Sequence, residues 1–158
     1  MARQPVRVYA DTSVFGGVFD DEFSKPSRRF FDQVSQGRYR LVISPLVEEE
    51  LVGAPERVRE LLDEVSSDAD IVPLPNEATE LQARYLAAGI VSEGASDDAL
   101  HVAIATVTDC SVIVSWNFRH IVHFSRIPLY NGVNASEGYR QIAIHAPSAV
   151  IEHEDEEV

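Results

Sequence analysis

The chain has 158 residues, 45% of them apolar and 25% charged, which is the size and composition of one folded domain. Its net charge of −13 argues against a protein that binds nucleic acid through a broad basic surface, so a polyanionic substrate must be held locally by metal ions or a few arginines. The single lysine, Lys25, does not follow a glycine-rich loop, which excludes a P-loop nucleotide site.

The start of the chain and its apolar runs bear on where the protein is found. The first five residues lead into a β-rich run rather than a long apolar segment, so no signal peptide is visible. No apolar run approaches the roughly 20 residues that cross a bilayer. We therefore expect a cytoplasmic protein without membrane contact, in which residues 1–150 form one domain and 151–158 an acidic, disordered tail.

Short β-rich runs alternate with segments of helical character along the chain. Strands are predicted at residues 6–10, 39–43, 70–72, 111–115 and 142–144. Gly16-Gly17 predicts a turn, and helices are predicted from Pro26 to Gly37, from Ser44-Pro45 onward, over 55–65, from an Asn76 cap to Gly89, and from a Ser96 cap to 105. This alternation predicts a parallel sheet with right-handed crossovers, and therefore one layered α/β domain.

An acidic residue, Asp11, directly follows the first predicted strand, 6–10. The carboxyl ends of parallel strands open onto the crevice where such sheets bind ligands, so Asp11 is a candidate site residue. An aspartate that ends a strand through an Asx-turn explains the same position equally well.

Glu50 differs from the two glutamates before it in its place on the helix. At about 100° per residue, Leu46, Val47 and Leu51 define an apolar face of roughly 140° that includes position 50 but not 48 or 49. A carboxylate on an inward face is costly unless it is paired, protonated or bound to a metal. The alternative is a glutamate at the helix edge that reaches solvent or forms a salt bridge.

Asp97 and Asp98 lie in the first turn of a predicted helix, where exposed N–H groups favour negative charge. The helix behind them is apolar almost all round, which predicts a buried helix whose start lies in a crowded interior region. Asp98 and His101 have the spacing of a metal-binding pair, but we favour His101 as a histidine that is hydrogen-bonded near the site.

The fourth predicted strand ends in Ser115-Trp116-Asn117, and Asn117 could bind a water or phosphate, or simply close a turn. Asp11, Glu50, Asp98 and Asn117 thus come from separate elements near one expected crevice. Oxygen ligands without a cysteine cluster suit Mg²⁺ or Mn²⁺. With such ions, a carboxylate cluster becomes a site for metal-assisted phosphodiester hydrolysis.

Four short motifs resemble those of the PIN-domain nucleases, and most closely the VapC-type toxins of toxin–antitoxin systems, over about residues 6–150. The motifs are Tyr9-Ala10-Asp11-Thr12-Ser13, Ser44-x5-Glu50-Leu51, Asp98-Ala99-Leu100-His101-Val102-Ala103 and Val114-Ser115-Trp116-Asn117-Phe118-Arg119-His120. The resemblance implies a three-layer α/β domain with a parallel sheet in the order 3-2-1-4-5. It also implies acidic residues that bind Mg²⁺ or Mn²⁺, endoribonuclease activity on RNA, a homodimer and a small antitoxin partner.

By this resemblance, Asp11, Glu50 and Asp98 match the family's acidic metal ligands, with Glu50 binding metal or orienting the attacking water. Asn117 stands where many PIN domains carry an aspartate, so a second metal is expected to bind weakly or only with substrate. Ser13 is expected to support the substrate site, and Arg119 to hold the RNA backbone.

The same residues leave an alternative function open. A non-catalytic or housekeeping PIN domain could bind RNA or a protein partner on the same fold, and Asn117 in place of an aspartate favours this alternative. Three crowded carboxylates argue against it, since a scaffold does not need them.

Overall fold

A five-stranded parallel sheet forms the centre of the computed structural model, which describes residues 4–152. Its strands are β1 (Val6–Ala10), β2 (Tyr39–Ile43), β3 (Asp70–Ile71), β4 (Val112–Val114) and β5 (Ala143–His145). They lie in the order β3-β2-β1-β4-β5, and every neighbouring pair is parallel. The expected α/β class and the strand order 3-2-1-4-5 are confirmed.

Helices connect the strands and flank the sheet. They are α1 (Thr12–Gly17), α2 (Ser24–Ser35), α3 (Pro45–Glu50), α4 (Glu56–Ser66), α5 (Asn76–Ala87), α6 (Ser96–Val107), α7 (Ile127–Ser136) and α8 (Pro147–Val150), with a 3-10 turn at Glu93–Ala95. From β1 the chain builds the sheet first towards β3 and later, through β4, towards β5. The order therefore reverses between β1 and β4, which is the position where open α/β sheets bind ligands.

The core follows the apolar runs of the central strands and of α6. Val8, Tyr9 and Ala10 of β1 are fully buried, and so are Ile113 and Val114 of β4. All eight residues from 99 to 106 in α6 are buried, which confirms the prediction of a helix that is apolar almost all round. The first turn of α6 consequently starts beside the core rather than on an open surface.

The helix starts differ in detail from the sequence prediction. Asn76 and Ser96 are not caps, because the cap positions belong to Pro75 and Ala95, neither of which contributes a side-chain hydrogen bond. Gly16-Gly17 does not form the predicted turn, since both glycines belong to the last turn of α1.

The end of the described chain contacts α2. The backbone carbonyl of Glu152 accepts hydrogen bonds from Arg29 (3.0 Å) and Gln33 (2.7 Å), and its carboxylate pairs with Arg38. Residues 153–158 of the expected acidic tail lie outside the described residues. Within 4–152, none of the helices has the length and apolar character needed to cross a bilayer.

Candidate active site

An open cleft of about 500 Å³ lies at the carboxyl ends of β1 and β4. It is lined by Asp11, Thr12, Ser13, Glu50, Asp98, His101 and Asn117. Asp11 directly follows β1, Glu50 ends α3, and Asp98 lies in the first turn of α6. The structure therefore brings together the four residues that the sequence singles out from four separate segments.

Asp11 is 4% exposed and is held by hydrogen bonds on both carboxylate oxygens. Its Oδ1 accepts from the backbone N–H (3.2 Å) and hydroxyl (2.5 Å) of Ser13, and its Oδ2 accepts from the Ser115 hydroxyl (2.8 Å). Burial raises the pKa of Asp11 above its ordinary value, although His101 and the two serines act in the opposite direction. Asp11 is both the N-cap of α1 and a cleft residue, so the two alternatives for this position hold together.

Two serines tie Asp11 to the loop after β4. The Ser13 hydroxyl accepts from the backbone N–H of Trp116 (2.9 Å), and the Ser115 hydroxyl accepts from that of Asn117 (2.9 Å). Ser13, expected to support the substrate, thus also positions Asp11. Sequence reasoning missed Ser115 as a site residue, although its place directly after a buried strand end is a usable signal.

Glu50 lies at the edge of the cleft, where its side chain is 30% exposed and paired. Its Oε1 is 2.7 Å from Nε2 of His101 and also accepts a hydrogen bond from the Thr12 hydroxyl. Partial burial acts to raise the pKa of Glu50, but these two partners outweigh it, so the pKa lies below its ordinary value. Glu50 is thus a hydrogen-bonded glutamate at the helix edge, beside the buried Leu46, Val47 and Leu51.

A chain of buried polar groups is hydrogen-bonded to His101. Its Nδ1 is 2.7 Å from the Tyr9 hydroxyl, which is 2.7 Å from the Ser44 hydroxyl. With a proton on Nε2, His101 donates to Glu50 and its Nδ1 accepts from Tyr9, so each of these groups has a hydrogen-bond partner. The Ser44 hydroxyl accepts from the backbone N–H of Val47 (3.4 Å), so this chain links β1, α3 and α6.

Asp98 and its neighbour Asp97 face different surroundings. Asp98 is half-buried and lines the cleft with Asp11, whereas Asp97 is exposed and lines a separate depression beside Glu49 and Leu100. The two nitrogens of His101 contact Tyr9 and Glu50, so a metal-binding pair of Asp98 and His101 is not favoured.

Asn117 lines the cleft but also closes a turn. Its Oδ1 accepts hydrogen bonds from the backbone N–H groups of Arg119 (3.2 Å) and His120 (2.8 Å), which leaves Nδ2 as the group that can donate to a ligand. Arg119 is exposed next to the cleft and does not line it. Within residues 4–152 it forms no ion pair.

The family model for the PIN domain matches residues 8–125, which is most of the chain. The chain belongs to the PIN-domain family. No curated protein sequence matches it. This PIN domain is similar in fold to the solved structure of VapBC2 from Rickettsia felis bound to promoter DNA, with 16% identity, a TM-score of 0.59 and coverage of 88% of this chain and 97% of that one.

Two further solved structures have the same fold as this PIN domain. DNA-bound VapBC from Salmonella typhimurium shares 20% identity at a TM-score of 0.58 and covers 90% of this chain and 98% of that one. VapBC-1 from nontypeable Haemophilus influenzae shares 13% identity at a TM-score of 0.59, with coverage of 90% and 99%.

The donor chemistry of this PIN domain's cleft suits a hard cation. Asp11, Glu50 and Asp98 present carboxylate oxygens there, which are the ligands that Mg²⁺ and Mn²⁺ prefer. Within the described residues, however, no three acidic, histidine or cysteine side chains are gathered closely enough to hold an ion. One carboxylate oxygen of Glu50 is already bonded to His101 and Thr12.

Proposed function

We propose that this PIN domain is a metal-dependent endoribonuclease that hydrolyses phosphodiester bonds of single-stranded or structured RNA. The observation that carries the proposal is the cleft at the carboxyl ends of β1 and β4, which is lined by Asp11, Glu50, Asp98 and Asn117. A cluster of carboxylates in an acidic chain repels RNA unless cations are bound, so the arrangement favours a metal-assisted hydrolase over a simple binding surface.

Each cleft residue has a role that its surroundings support. Asp11 and Asp98 would be the main ligands of Mg²⁺ or Mn²⁺, an ion that supplies a Lewis acid and lowers the pKa of water. Glu50, whose pKa is lowered, is ionised at neutral pH and can hold metal or orient the attacking water. Nδ2 of Asn117 donates to a phosphate oxygen, and Arg119 beside it holds the RNA backbone.

The biological setting we propose is a toxin–antitoxin pair. The support is the fold shared with the VapBC structures, over at least 97% of the length of the three matched chains described above. In this setting the chain is a cytoplasmic homodimer whose activity is held in check by a small antitoxin. Co-expression with the product of an adjacent short gene should yield a stable complex and relieve growth arrest, and the isolated chain should run as a dimer in light scattering.

A second candidate, a non-catalytic or housekeeping PIN domain that binds RNA or protein, is favoured by one observation. Glu50 is already engaged by His101 and Thr12, so the cleft does not contain a ready-made ligand cluster among the described residues. This candidate predicts RNA binding without cleavage in any divalent cation.

Cleavage of a labelled single-stranded RNA in Mg²⁺, Mn²⁺ or EDTA separates the two candidates. Wild type should cut only with a divalent cation, and Asp11→Asn or Asp98→Asn should lose cutting by 100-fold or more, on the order expected when a metal ligand is removed. Asp97→Asn is the matched control, since it removes the adjacent but exposed carboxylate of the same helix turn. Cutting that survives both cleft substitutions would show that the site is wrong, and no cutting on any RNA would favour the binding module.

A further inference from the structure

Three aromatic side chains, Phe23, Trp116 and Phe118, form a connected cluster beside the cleft. The rings of Phe23 and Trp116 are stacked, with centroids 4.2 Å apart and an interplanar angle of 20°. The Phe118 ring lies 6.1 Å from Trp116 and 6.5 Å from Phe23. We propose that Phe118, supported by this aromatic cluster, binds an unstacked nucleobase of a single-stranded RNA whose backbone enters the cleft, an inference that rests on the proposed nuclease function.

The aromatic cluster is fixed to the same groups that hold Asp11. The backbone N–H of Trp116 donates to the Ser13 hydroxyl (2.9 Å), and its indole Nε1–H donates to the Ser27 hydroxyl (2.8 Å). Gly17 lies against the indole so closely that a Cβ there would be 2.8 Å from Nε1. The cluster and the cleft are therefore parts of one rigid unit.

Phe118 is exposed although its backbone is well ordered by hydrogen bonds. Half of its side chain, 49%, is open to solvent. It lies in the turn that the Asn117 side chain closes, and the backbone N–H groups of Ile121 and Val122 also bond to the Asn117 carbonyl. An apolar ring on a turn whose backbone is already ordered loses little backbone entropy on binding, which favours a stacking platform.

The Phe118 ring lies at an angle to both of its aromatic neighbours. Its plane is inclined by 65° to Trp116 and by 52° to Phe23, so neither neighbour is stacked on it. An unpaired base has a π-face of matching size, and every base can stack, so this contact does not depend on sequence.

The charges around the aromatic cluster indicate where the RNA backbone lies. Asp20, Asp21 and Glu22 precede Phe23 and would repel phosphates on that side. Arg119 follows Phe118 directly, is exposed and has no ion pair within residues 4–152, so its guanidinium can bind a phosphate. In this proposal a base on Phe118 would adjoin a phosphate bound by Arg119, and Asn117, the residue before Phe118, lines the cleft.

The test uses short single-stranded RNAs that carry one 2-aminopurine, a base whose fluorescence is quenched by stacking. Binding is measured in Ca²⁺, and the RNA is checked afterwards for integrity. Phe118→Leu keeps an apolar side chain but removes the ring, and it should weaken binding about 5- to 30-fold with loss of quenching. Phe118→Trp should restore both.

Phe124→Leu is the matched control, because Phe124 is 93% exposed but makes no aromatic contact with this cluster. It should bind like wild type. An RNA with an abasic position in place of the stacked base should bind wild type as weakly as the intact RNA binds Phe118→Leu. Phe118→Leu with the abasic RNA should bind only slightly more weakly than either change alone. Such non-additivity would show that the missing base is the group that contacts the Phe118 ring.

Three results would overturn the inference: Phe118→Leu binding like wild type, no RNA binding by wild type, or Phe118→Leu altering only association with protein. Failure of the nuclease proposal is distinguishable, since it appears as intact RNA in Mg²⁺ and Mn²⁺. Quenching that depends on Phe118 without any cleavage would support the nucleobase site in a non-catalytic domain.

Discussion

The hydroxyl of Tyr9 is a buried group on which the position of a cleft carboxylate depends. Burial raises the pKa of Tyr9, so the hydroxyl stays protonated and can donate to His101 while accepting from Ser44. His101, 2% exposed, is then oriented with Nε2 towards Glu50. Through His101, the buried Tyr9 hydroxyl thus helps to fix the position of the Glu50 carboxylate at the cleft.

Replacing Tyr9 with phenylalanine tests this chain of hydrogen bonds. Tyr9→Phe keeps the ring but leaves the Ser44 hydroxyl and the His101 Nδ1 without a buried partner, which should lower the free energy of unfolding by about 1–3 kcal/mol. Urea denaturation should show a lower midpoint with an unchanged slope.

The control for this substitution is Tyr139→Phe. Tyr139 is half-buried, and its hydroxyl makes no hydrogen bond to any described residue, so its loss should change stability by less than about 0.5 kcal/mol. Equal midpoints for Tyr9→Phe and wild type would show that the buried chain contributes nothing to stability.

Single residues of the site differ in how far the sequence can predict them. Helical position separates Glu50 from Glu48 and Glu49, and the spacing of Asp98 and His101 places both near the cleft. The contact of the Ser115 hydroxyl with Asp11 could not be predicted, because it joins residues 104 positions apart. Contacts between distant segments depend on strand order and register, which local patterns do not contain.

Helix α1 shows how a short element can connect the site to the core. Its six residues begin at the Asp11 cap and end at Gly17, which lies directly against Trp116 and Ser27. Val14, Phe15 and Gly17 are all buried in this short helix. The position of α1 therefore determines both the orientation of Asp11 and the support of the aromatic cluster.

The two adjacent glycines of α1 give a matched pair of substitutions. Gly17→Ala places a Cβ 2.7 Å from the Ser27 hydroxyl and 2.8 Å from Trp116 Nε1, so overpacking should lower the free energy of unfolding by about 1–3 kcal/mol. Gly16→Ala meets nothing within 4 Å and should be neutral or stabilise by up to about 1 kcal/mol, since alanine favours the helix.

Thermal unfolding followed by circular dichroism measures both variants, and tryptophan fluorescence should change only in Gly17→Ala because the chain has a single tryptophan. Equal melting temperatures for the two variants would show that Trp116 moves aside without cost. The aromatic cluster would then be less rigid than its contacts indicate.

The elements that the sequence predicted have either a strong apolar pattern or a clear start signal, such as Ser44-Pro45 before α3. The central strands and α6 are buried and apolar, so their patterns are strong. Helix α7 was not predicted, because Asn131, Gly132 and Asn134 are poor helix formers. Tertiary contacts offset this low helix propensity. The Asn131 side chain forms hydrogen bonds with the backbone N–H and carbonyl of Ile142, and the Asn134 side chain accepts one from the Tyr85 hydroxyl (2.5 Å).

At the scale of the whole molecule, the net charge of −13 and the acidic cleft act together. Excess negative charge destabilises the folded chain through self-repulsion and attracts cations to its surface and to the cleft. A cation that binds only the folded cleft stabilises the entire domain, because unfolding must release it. Global stability is therefore a measure of metal binding that does not require catalysis.

Mn²⁺ should raise the free energy of unfolding by about 2.7 kcal/mol at a concentration 100-fold above its dissociation constant, and the melting temperature should rise accordingly. Asp11→Asn should abolish this increase, because it removes the central carboxylate of the cleft, whereas Asp97→Asn should retain it. Sodium chloride at equal ionic strength controls for screening of the net charge. An equal rise with sodium, or a full rise in Asp11→Asn, would mean that Mn²⁺ acts on the acidic surface at large and that the cleft is not the site of metal binding.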